Sequence, residues 1–428
     1  MKILLIAHGS PLSEYGGVGL YVESIAKGLA LLQHEIIVIT PKMASIQKPY
    51  FKTHIYGWGQ HWELVTPFAR NWIDSWSHRS CHALLKSTLI NLVPDVIHIH
   101  HLDGLPLNFW SFTPQNCFKA ITLHDYAIPC ARGQLVNADQ EICLGPNSEK
   151  CAACLGHRLR PHPWLQIFRK WFTNPYFQSI GKAVIAPKTT HRHHVGQVHK
   201  RLSDARRLLH ECDLLLSPSM HLQSRMKALQ WPEPRFLPLP LLTDIQPLPP
   251  PPPSPKRLIY SSRIAPTKGL HLILKAIKKC DHRDISLTII GQTEGSDSWP
   301  NYADHIKKLI HQRQSEGYQV QYLGHRSHSE VIRQLHQHHV FLLPSLWPEN
   351  APISAREAAA AGLQIICSED SGAMEMSPEA IGIQPTEGSI ANAINNVSTD
   401  RITLTNHMDL KAHCWELQSA YLGTRELY

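Results

Sequence analysis

Short runs rich in apolar residues recur along the chain, and most of them are followed by a polar turn and a stretch with helical apolar spacing. These runs cover residues 2–7, 35–40, 95–100, 120–124 and 214–217 in the first half, and 257–261, 285–290, 320–323, 340–343 and 364–367 in the second. Apolar runs without polar alternation are typical of strands buried on both faces. Their alternation with helices predicts an α/β protein with parallel, doubly wound sheets.

A proline-rich stretch divides the chain, because seven prolines fall within residues 247–255. Polyproline is stiff and extended, so we expect a linker at 246–256. The linker separates an N-terminal domain of residues 1–245 from a second domain of residues 257–408, and we expect a final helix over 409–428. With 428 residues, the chain is long enough to need more than one core.

The stretch 344–357 is Pro-Ser-Leu-Trp-Pro-Glu-Asn-Ala-Pro-Ile-Ser-Ala-Arg-Glu. It lies between the apolar run 340–343 and four alanines closed by Gly362, which predicts a loop from a strand into a helix. Open α/β sheets bind ligands at such loops. Glu349 and Glu357 flank the predicted helix N-terminus, whose free N–H groups suit an anion. By spacing alone, Glu349 could equally cap the helix and Glu357 lie on a solvated face.

Two other patterns suit phosphate groups. Gly16 and Gly17 follow the first strand and open a helix, and glycine lets backbone N–H groups approach an anion. Turn formation explains them equally well. Arg263 and Lys268 lie between a strand and a helix, where two cations can clamp a diphosphate. Two surface cations would show the same spacing.

Histidine and cysteine supply further candidates. His124 ends the run 120–124 at the ligand-binding edge of its sheet, although a histidine bonded to a loop carbonyl fits there too. Four cysteines follow with the spacing C-x12-C-x7-C-x2-C: Cys130, Cys143, Cys151 and Cys154. Four thiols of which two are in a C-x2-C pair can form a tetrahedral, structural zinc site. Free thiols, or a redox or iron–sulfur role, are the alternatives.

Positive charge is concentrated in one segment. The chain carries a net charge of +8, while residues 157–210 hold eleven lysines and arginines and one acid, Asp204. Within it, four aromatic residues fall on one helical face: Trp164, Phe168, Trp171 and Phe172. A basic and aromatic face is typical of helices at an anionic membrane surface, although such aromatics can also pack into a core. Nucleic-acid binding is a weaker alternative.

No apolar run reaches the roughly 18 residues that a membrane span requires. The run after Lys2 is too short for a signal peptide, so we expect a cytoplasmic protein. If the basic segment binds lipid, the protein would lie peripherally on the inner face of the cell membrane.

The stretch Pro-Ser-x-Trp-x-Glu-Asn-x-Pro, followed by Glu-Ala and Gly, resembles the signature of retaining glycosyltransferase family 4. That family has the GT-B fold, in which two Rossmann-like domains face a cleft. Glu349 and Glu357 match the two ends of its E-x7-E motif. The resemblance extends over the whole chain, and the cysteine-containing insertion at about 126–210 resembles one found in many bacterial relatives.

The resemblance implies transfer of a sugar from a nucleotide diphosphate sugar, with retention, to a glycan or lipid-linked acceptor. We therefore expect a role in cell-surface polysaccharide biosynthesis. It implies no catalytic metal. The implied roles are diphosphate binding by Arg263 and Lys268, contact with the donor sugar by Glu349 and His124, and ribose binding by Glu357. The other donor-binding residues that the resemblance implies are Gly16, Gly17, Asn350, Ala351 and Ile353.

Departures from the family pattern leave the sugar open. Ser371-Gly372 replaces the usual pair of glycines, and Ala351 and Arg356 stand where aliphatic residues or glycine are usual. A GT-B sugar-nucleotide epimerase is an alternative enzyme. A non-catalytic GT-B protein that binds a glycan or a membrane is an alternative of another class.

Overall fold

The computed structural model describes residues 1–8, 16–69, 72–156, 188–281, 283–294, 299–404 and 408–423. These residues form two sheets in which the strands are parallel, apart from one edge strand. The predicted aromatic face at Trp164, Phe168, Trp171 and Phe172 lies outside the described residues.

The first sheet has the strand order β3-β4-β2-β1-β5-β6-β7-β8. Its strands are β1 (Lys2–Ile6), β2 (Glu35–Ala44), β3 (Tyr50–Tyr56), β4 (Gly59–Pro67), β5 (Val96–Ile99), β6 (Phe118–Thr122), β7 (Leu214–Ser217) and β8 (Arg235–Phe236). The α-helices described in this half are α1 (Gly17–Leu31), α2 (Asp74–Ser77), α3 (His82–Leu92), α4 (Ser148–Cys154), α5 (Lys188–His210) and α6 (Met220–Ala228).

The second sheet is wholly parallel and has the order β11-β10-β9-β12-β13-β14. Its strands are β9 (Lys256–Ser261), β10 (Ile285–Ile290), β11 (Gln319–Gly324), β12 (Val340–Leu343), β13 (Gln364–Ser368) and β14 (Ile381–Ile383). The α-helices described here are α7 (Leu270–Ala276), α8 (Tyr302–Ser315), α9 (His328–Leu335), α10 (Ile353–Ala360), α11 (Glu387–Asn396) and α12 (Leu410–Tyr421).

The central strands are buried as their composition predicts. Every residue of β5, β7, β12 and β13 is buried. A strand covered on both faces has no polar side to present to water, which is why its sequence does not alternate. The regular α/β pattern of the sequence is thus confirmed in both halves.

The strand orders also fix where a ligand can bind. Each order reverses direction at one point, between β1 and β5 in the first sheet and between β9 and β12 in the second. At such a point the loops that follow the two neighbouring strands run in opposite directions. They leave a crevice between them at the carboxyl edge of the sheet. The loops after β9 and β12 carry Lys268 and Glu349, so the order of the strands brings these two residues together.

The carboxyl edges of the two sheets face each other. Asn350, after β12, donates from Nδ2 to the carbonyl oxygen of Leu123, after β6, at 2.8 Å. Glu375, from the second domain, accepts from the backbone N–H groups of Met220 and His221 at 2.8 and 2.6 Å. These contacts close one side of the cleft between the domains.

The last helix crosses back to the first domain. Helix α12 packs on α1, and the Tyr21 hydroxyl lies 2.6 Å from Nε2 of His413. The Tyr421 hydroxyl lies 2.6 Å from Nδ1 of His98, on β5. None of the described helices combines the length and apolarity needed to cross a bilayer.

Two features differ from the sequence reading. Strands β3 and β4 form a hairpin at the edge of the first sheet, and β3 runs antiparallel. Its residues are partly or fully exposed, so no buried apolar run marked it. The prolines form neither helix nor strand, and β9 begins at Lys256, the last residue of the expected linker and one residue before the expected start of the strand.

Candidate active site

Two helix N-termini converge across the cleft. Helix α1 begins after Gly16 and α10 begins after Pro352, and neither helix has a side-chain hydrogen bond at its cap. A Cβ added to Gly17 would lie 3.0 Å from Cδ1 of Ile353, so the first turns of the two helices nearly touch. Glycine at position 17 therefore permits the close approach, and its neighbour Gly16 has a φ of 98°. Uncapped N–H groups and two positive helix ends favour an anion at this point.

Lys268 and Glu349 form a buried ion pair beside these helix ends. The Lys268 Nζ lies 2.5 Å from Oε1 of Glu349, and both residues are buried. Burial lowers the pKa of Lys268, and the carboxylate of Glu349 opposes that shift. Glu349 therefore does not cap α10, and Lys268 is not a surface cation.

Two donors from the same loop complete the surroundings of Glu349. Ser345 Oγ donates to Glu349 Oε1 at 2.6 Å, and Trp347 Nε1 donates to the same oxygen at 2.8 Å. With Lys268, three donors converge on Oε1. The other oxygen, Oε2, has no partner among the described residues, so Glu349 keeps one acceptor for a ligand hydroxyl.

Arg263 reaches the cleft from the loop after β9. Its Nη1 lies 3.1 and 2.9 Å from the two carboxylate oxygens of Glu294, and both side chains are partly exposed. Arg263 also lines the cavity described below. A phosphate bound there would compete with Glu294 for the guanidinium.

Glu357 is engaged by a histidine from the neighbouring helix. His328 Nε2 lies 2.5 Å from Glu357 Oε1, and Glu357 is 3% exposed. Glu357 is therefore not on a solvated face. The hydrogen bond to Glu357 raises the pKa of His328 despite partial burial, which favours an imidazolium–carboxylate pair.

His124 lies at the carboxyl edge of the first sheet, directly after β6. Its Nε2 is 3.2 Å from Nδ1 of His100, so its recorded partner is another histidine and not a loop carbonyl. Burial lowers the pKa of His124 to about 3. His124 is therefore neutral at pH 7 and can exchange hydrogen bonds with a ligand without carrying charge.

Asn350 holds the two domains together at this edge. Its side chain is buried, donates to the Leu123 carbonyl and accepts from Ser219 Oγ. The side chain of Asn350 thus holds in place the backbone of Leu123, the residue directly before His124. The amide N–H of Gly372 donates to the Glu349 carbonyl at 2.8 Å, and any Cβ on Gly372 would collide with the Asn350 carbonyl. Ser371 is tolerated where a second glycine was expected because its hydroxyl caps the turn that follows.

The residues predicted to bind the nucleotide-sugar donor lie close together, and one of them, Asn350, differs in how its side chain is used. Gly16, Gly17 and Ile353 lie at the helix ends, and Ala351 lies in the partly buried loop before α10. Asn350 lies in the same loop, but its side chain is hydrogen-bonded to the first domain. Only its backbone is therefore available to contact a nucleotide-sugar donor.

A cavity of about 640 Å³ extends from this edge into the first domain. Both domains line it, with Arg263 and Trp347 on one side and His8, His101 and Asp125 on the other. His101 Nε2 lies 3.3 Å from Asp125 Oδ2. Burial alone would lower the pKa of His101, but Asp125 raises it above its ordinary value, while His101 lowers the pKa of Asp125.

The four cysteines lie near one another beside this cavity. Cys151 and Cys154 are on α4, and Cys130 lines the cavity itself. Burial raises the pKa of Cys151 to about 11, and the nearby thiols of Cys130, Cys143 and Cys154 add to that shift. Within the described residues, no group of three or more His, Cys, Asp or Glu side chains has the arrangement of a metal site. Structural zinc thus stays a prediction.

The sequence analysis did not single out several residues of the site: His8, His101, Asp125, His328, Ser345 and Trp347. The first three follow β1, β5 and β6, so the rule that ligands bind at carboxyl edges could have found them. Ser345 and Trp347 lie within the stretch already chosen. His328 had no local signal, because its partner Glu357 is 29 residues away in the chain.

Comparison with known proteins agrees with this architecture. Residues 244–412 match the family Glycosyl transferases group 1. No curated protein matches the chain by sequence. Sucrose-phosphate synthase from Thermosynechococcus elongatus is similar in structure, with a TM-score of 0.63 and 15% identity over 99% of this chain and 98% of that chain.

Two other solved structures are similar over nearly the full length. One is Anabaena HepE in complex with UDP and glucose, with a TM-score of 0.60 and 13% identity over 99% of this chain and 100% of that one. The other is an α,α-trehalose-phosphate synthase (UDP-forming) from Burkholderia xenovorans in complex with glucose-6-phosphate. It has a TM-score of 0.63 and 11% identity over 99% of this chain and 100% of that one.

The fold class is therefore GT-B, with two Rossmann-like domains that face a cleft, as the sequence predicted. The second half of the chain carries a Glycosyl transferases group 1 domain. At identities this low, the solved structures establish the fold alone.

Proposed function

We propose that the protein is a retaining glycosyltransferase that transfers a sugar from a nucleotide diphosphate sugar to a glycan or lipid-linked acceptor. The observation that carries this proposal is the convergence of two uncapped helix N-termini beside a buried lysine. Two positive helix ends and Lys268 create a site for a diphosphate. The Glycosyl transferases group 1 match over residues 244–412 supports a nucleotide-sugar donor.

Each donor-site residue then has a part in the reaction. Negative charge develops on the diphosphate as its bond to the sugar breaks, and groups fixed in advance stabilise that charge most effectively. Lys268, Arg263 and the first turns of α1 and α10 supply this stabilisation. Arg263 leaves Glu294 for the diphosphate.

The two glutamates bind the hydroxyl-bearing parts of the donor. Glu349 accepts from donor sugar hydroxyls through Oε2, because Oε1 already has three donors. Glu357 binds the ribose hydroxyls, with His328 holding the carboxylate in position. Neutral His124 faces the sugar from the first domain and adds no positive charge beside a reacting centre with oxocarbenium character.

The cellular setting proposed here is the inner face of the cell membrane, with the enzyme cytoplasmic and peripherally bound. The basic composition of residues 157–210 supports contact with anionic lipid. An acceptor attached to a lipid would be presented at that surface. Cell-surface polysaccharide biosynthesis is the process that such an acceptor serves.

A panel of nucleotide diphosphate sugars tests the proposal. Thermal shift should identify at least one donor that raises the melting temperature, because a ligand bound only by the folded state stabilises it. With that donor, the protein should release nucleoside diphosphate, and proton NMR should show that the product keeps the anomeric configuration. Inversion at the anomeric carbon would contradict retention. Interconversion of the free sugar nucleotide with its epimer would favour an epimerase.

A further inference from the structure

One wall of the cavity, beside the four-cysteine insertion, consists of residues that have no role in the proposed donor site. Residues 127–134 of the insertion, apart from Pro129, line the cavity, together with Trp72 and Trp76. The insertion is pinned there by Arg201 of α5, which donates to the carbonyl oxygens of Ile128 at 3.1 Å and Ala127 at 2.6 Å. The insertion therefore forms one wall of the cavity.

Two side chains of the cavity wall have donor groups without a partner among the described residues. The indole N–H of Trp76, which can only donate, is buried and has no partner within the described part of the chain. The Arg132 guanidinium has no hydrogen bond or ion pair to any described residue. Buried polar groups in native proteins are normally paired, so the unpaired indole N–H beside the cavity indicates a ligand that supplies an acceptor. The partly exposed Arg132 lies on the same wall and can bind the same ligand.

The charges of the residues that line the cavity also favour a ligand with acceptor oxygens. Three arginines line the cavity, Arg132, Arg201 and Arg263, against two carboxylates, Asp103 and Asp125. Asp125 is neutralised by His101 at 3.3 Å. Buried Arg201 has carbonyl partners but no carboxylate among the described residues. With Arg263 paired to Glu294, Arg132 and Arg201 against Asp103 leave the cavity wall net positive.

The cations fall into two groups. Arg263 follows β9, is paired with Glu294 and lines the donor end of the cavity. Arg132 instead belongs to the insertion segment that lines the cavity, and Arg201 is hydrogen-bonded to the carbonyl oxygens of Ile128 and Ala127 in that segment. Arg132 and Arg201 therefore lie toward the insertion, away from the helix ends that receive the diphosphate.

We propose that this cavity binds the acceptor, and that the acceptor carries an anionic group recognised by Arg132 and Arg201. A planar guanidinium forms paired, charge-assisted hydrogen bonds with either a phosphate or a carboxylate. The indole N–H of Trp76 supplies one further donor. This inference rests on the proposed function, because it assumes that the opposite end of the cleft holds a nucleotide sugar.

Binding of three defined sugars tests the proposal: glucose, glucose 6-phosphate and glucuronate. Calorimetry with the full chain, saturated with the nucleoside diphosphate that it binds best, should show at least tenfold tighter binding of one anionic sugar than of glucose. Preference for glucose 6-phosphate identifies a phosphate acceptor, and preference for glucuronate a uronic acid. Equal affinity for all three sugars would overturn the inference.

Single substitutions test which residues cause the preference for an anionic sugar. Arg132→Gln should remove the preference for the anionic sugar, whereas Arg79→Gln, an exposed arginine outside the cavity, should keep it. Asp103→Asn removes a repelling carboxylate and should increase the preference, which provides a test that does not depend on losing binding. An unchanged preference in both Arg132→Gln and Asp103→Asn would refute the assignment.

The nucleotide titration separates this inference from the proposed function. A chain that binds nucleoside diphosphate but shows no preference among the three sugars contradicts only the anionic acceptor. A chain that binds no nucleoside diphosphate contradicts the donor site itself.

Discussion

The buried pair of Lys268 and Glu349 allows a structural role to be separated from a catalytic one. Lys268→Met keeps the length of the side chain and removes its charge, which leaves the Glu349 carboxylate with Ser345 and Trp347 as its donors. Removing one partner of a buried pair destabilises a protein by roughly 3–5 kcal/mol. Since two donors remain here, we expect a loss of about 3 kcal/mol, near the lower end of that range.

The same substitution should also slow the reaction. An electrostatic contact with charge that develops in the transition state contributes a factor of about 10²–10³ to the rate. We therefore expect Lys268→Met to lower kcat/KM by that factor. Urea unfolding measures the first effect, and release of nucleoside diphosphate from the identified donor measures the second.

The double variant Lys268→Met/Glu349→Gln distinguishes the two roles. It removes both charges, and replacement of a whole buried pair is often nearly neutral for stability. We expect it to regain most of the lost stability but none of the lost turnover. Lys275→Met, which removes a partly exposed lysine paired with Glu387 at 3.4 Å, is the matched control and should change both quantities little. If turnover recovers together with stability, Lys268 acts by supporting the fold and not by binding the diphosphate.

Four further outcomes are expected. Glu357→Gln should weaken nucleotide binding by about tenfold, as measured by calorimetry, because a neutral amide is a poorer acceptor for ribose hydroxyls. Because Glu357 raises the pKa of His328, their pair stabilises the fold fully below 6.5, the ordinary value for histidine, and this contribution is lost as pH rises through the raised value. The difference in unfolding free energy between wild type and His328→Asn should therefore shrink as pH rises from about 6 to about 9. Elemental analysis should find about one zinc per chain, and Cys151→Ser should lose it together with stability. Vesicles of anionic lipid should bind the protein in a salt-sensitive way, and reversing the charges of Arg169 and Lys170 should weaken that binding, since each cation near the surface contributes about 1 kcal/mol.

The contrary results are equally definite. Unchanged nucleotide affinity would remove Glu357 from the ribose site, and a difference that grows with pH would give the His328 pair the wrong sign. Metal-free protein with full activity and four titratable thiols at the predicted positions would exclude zinc. Absence of vesicle binding at low salt would favour a soluble acceptor.

The sequence predicted the sheets well because burial on both faces leaves a local signal. Strand β12 is wholly apolar and β5 contains one polar residue, His98, and every residue in both strands is buried. The ligand-binding edge followed from the rule that open α/β sheets bind ligands at the loops after such strands. The stretch around Glu349 could be chosen because a loop, a carboxylate and a helix start lie close together in the chain.

What the sequence could not predict depends on contacts between distant residues. Asn350 bonds Leu123, 227 residues away, and nothing near either residue indicates that contact. The hairpin of β3 and β4 was missed because an edge strand with exposed residues has no buried apolar run. The charges of the cavity arise only when the insertion folds against the histidines of the first sheet.

Affinity for the diphosphate group tests the central claim most directly. The site proposed here binds the donor through its two phosphates, at two helix N-termini with Lys268 and Arg263. Calorimetric titration with nucleoside diphosphates of each common base, and with the matching nucleosides, measures the contribution of those phosphates. We predict that one nucleoside diphosphate binds at least about a hundredfold more tightly than its nucleoside, the gain expected from several charge-assisted hydrogen bonds. Equal affinities for diphosphate and nucleoside, or no binding of any nucleotide, would contradict the account.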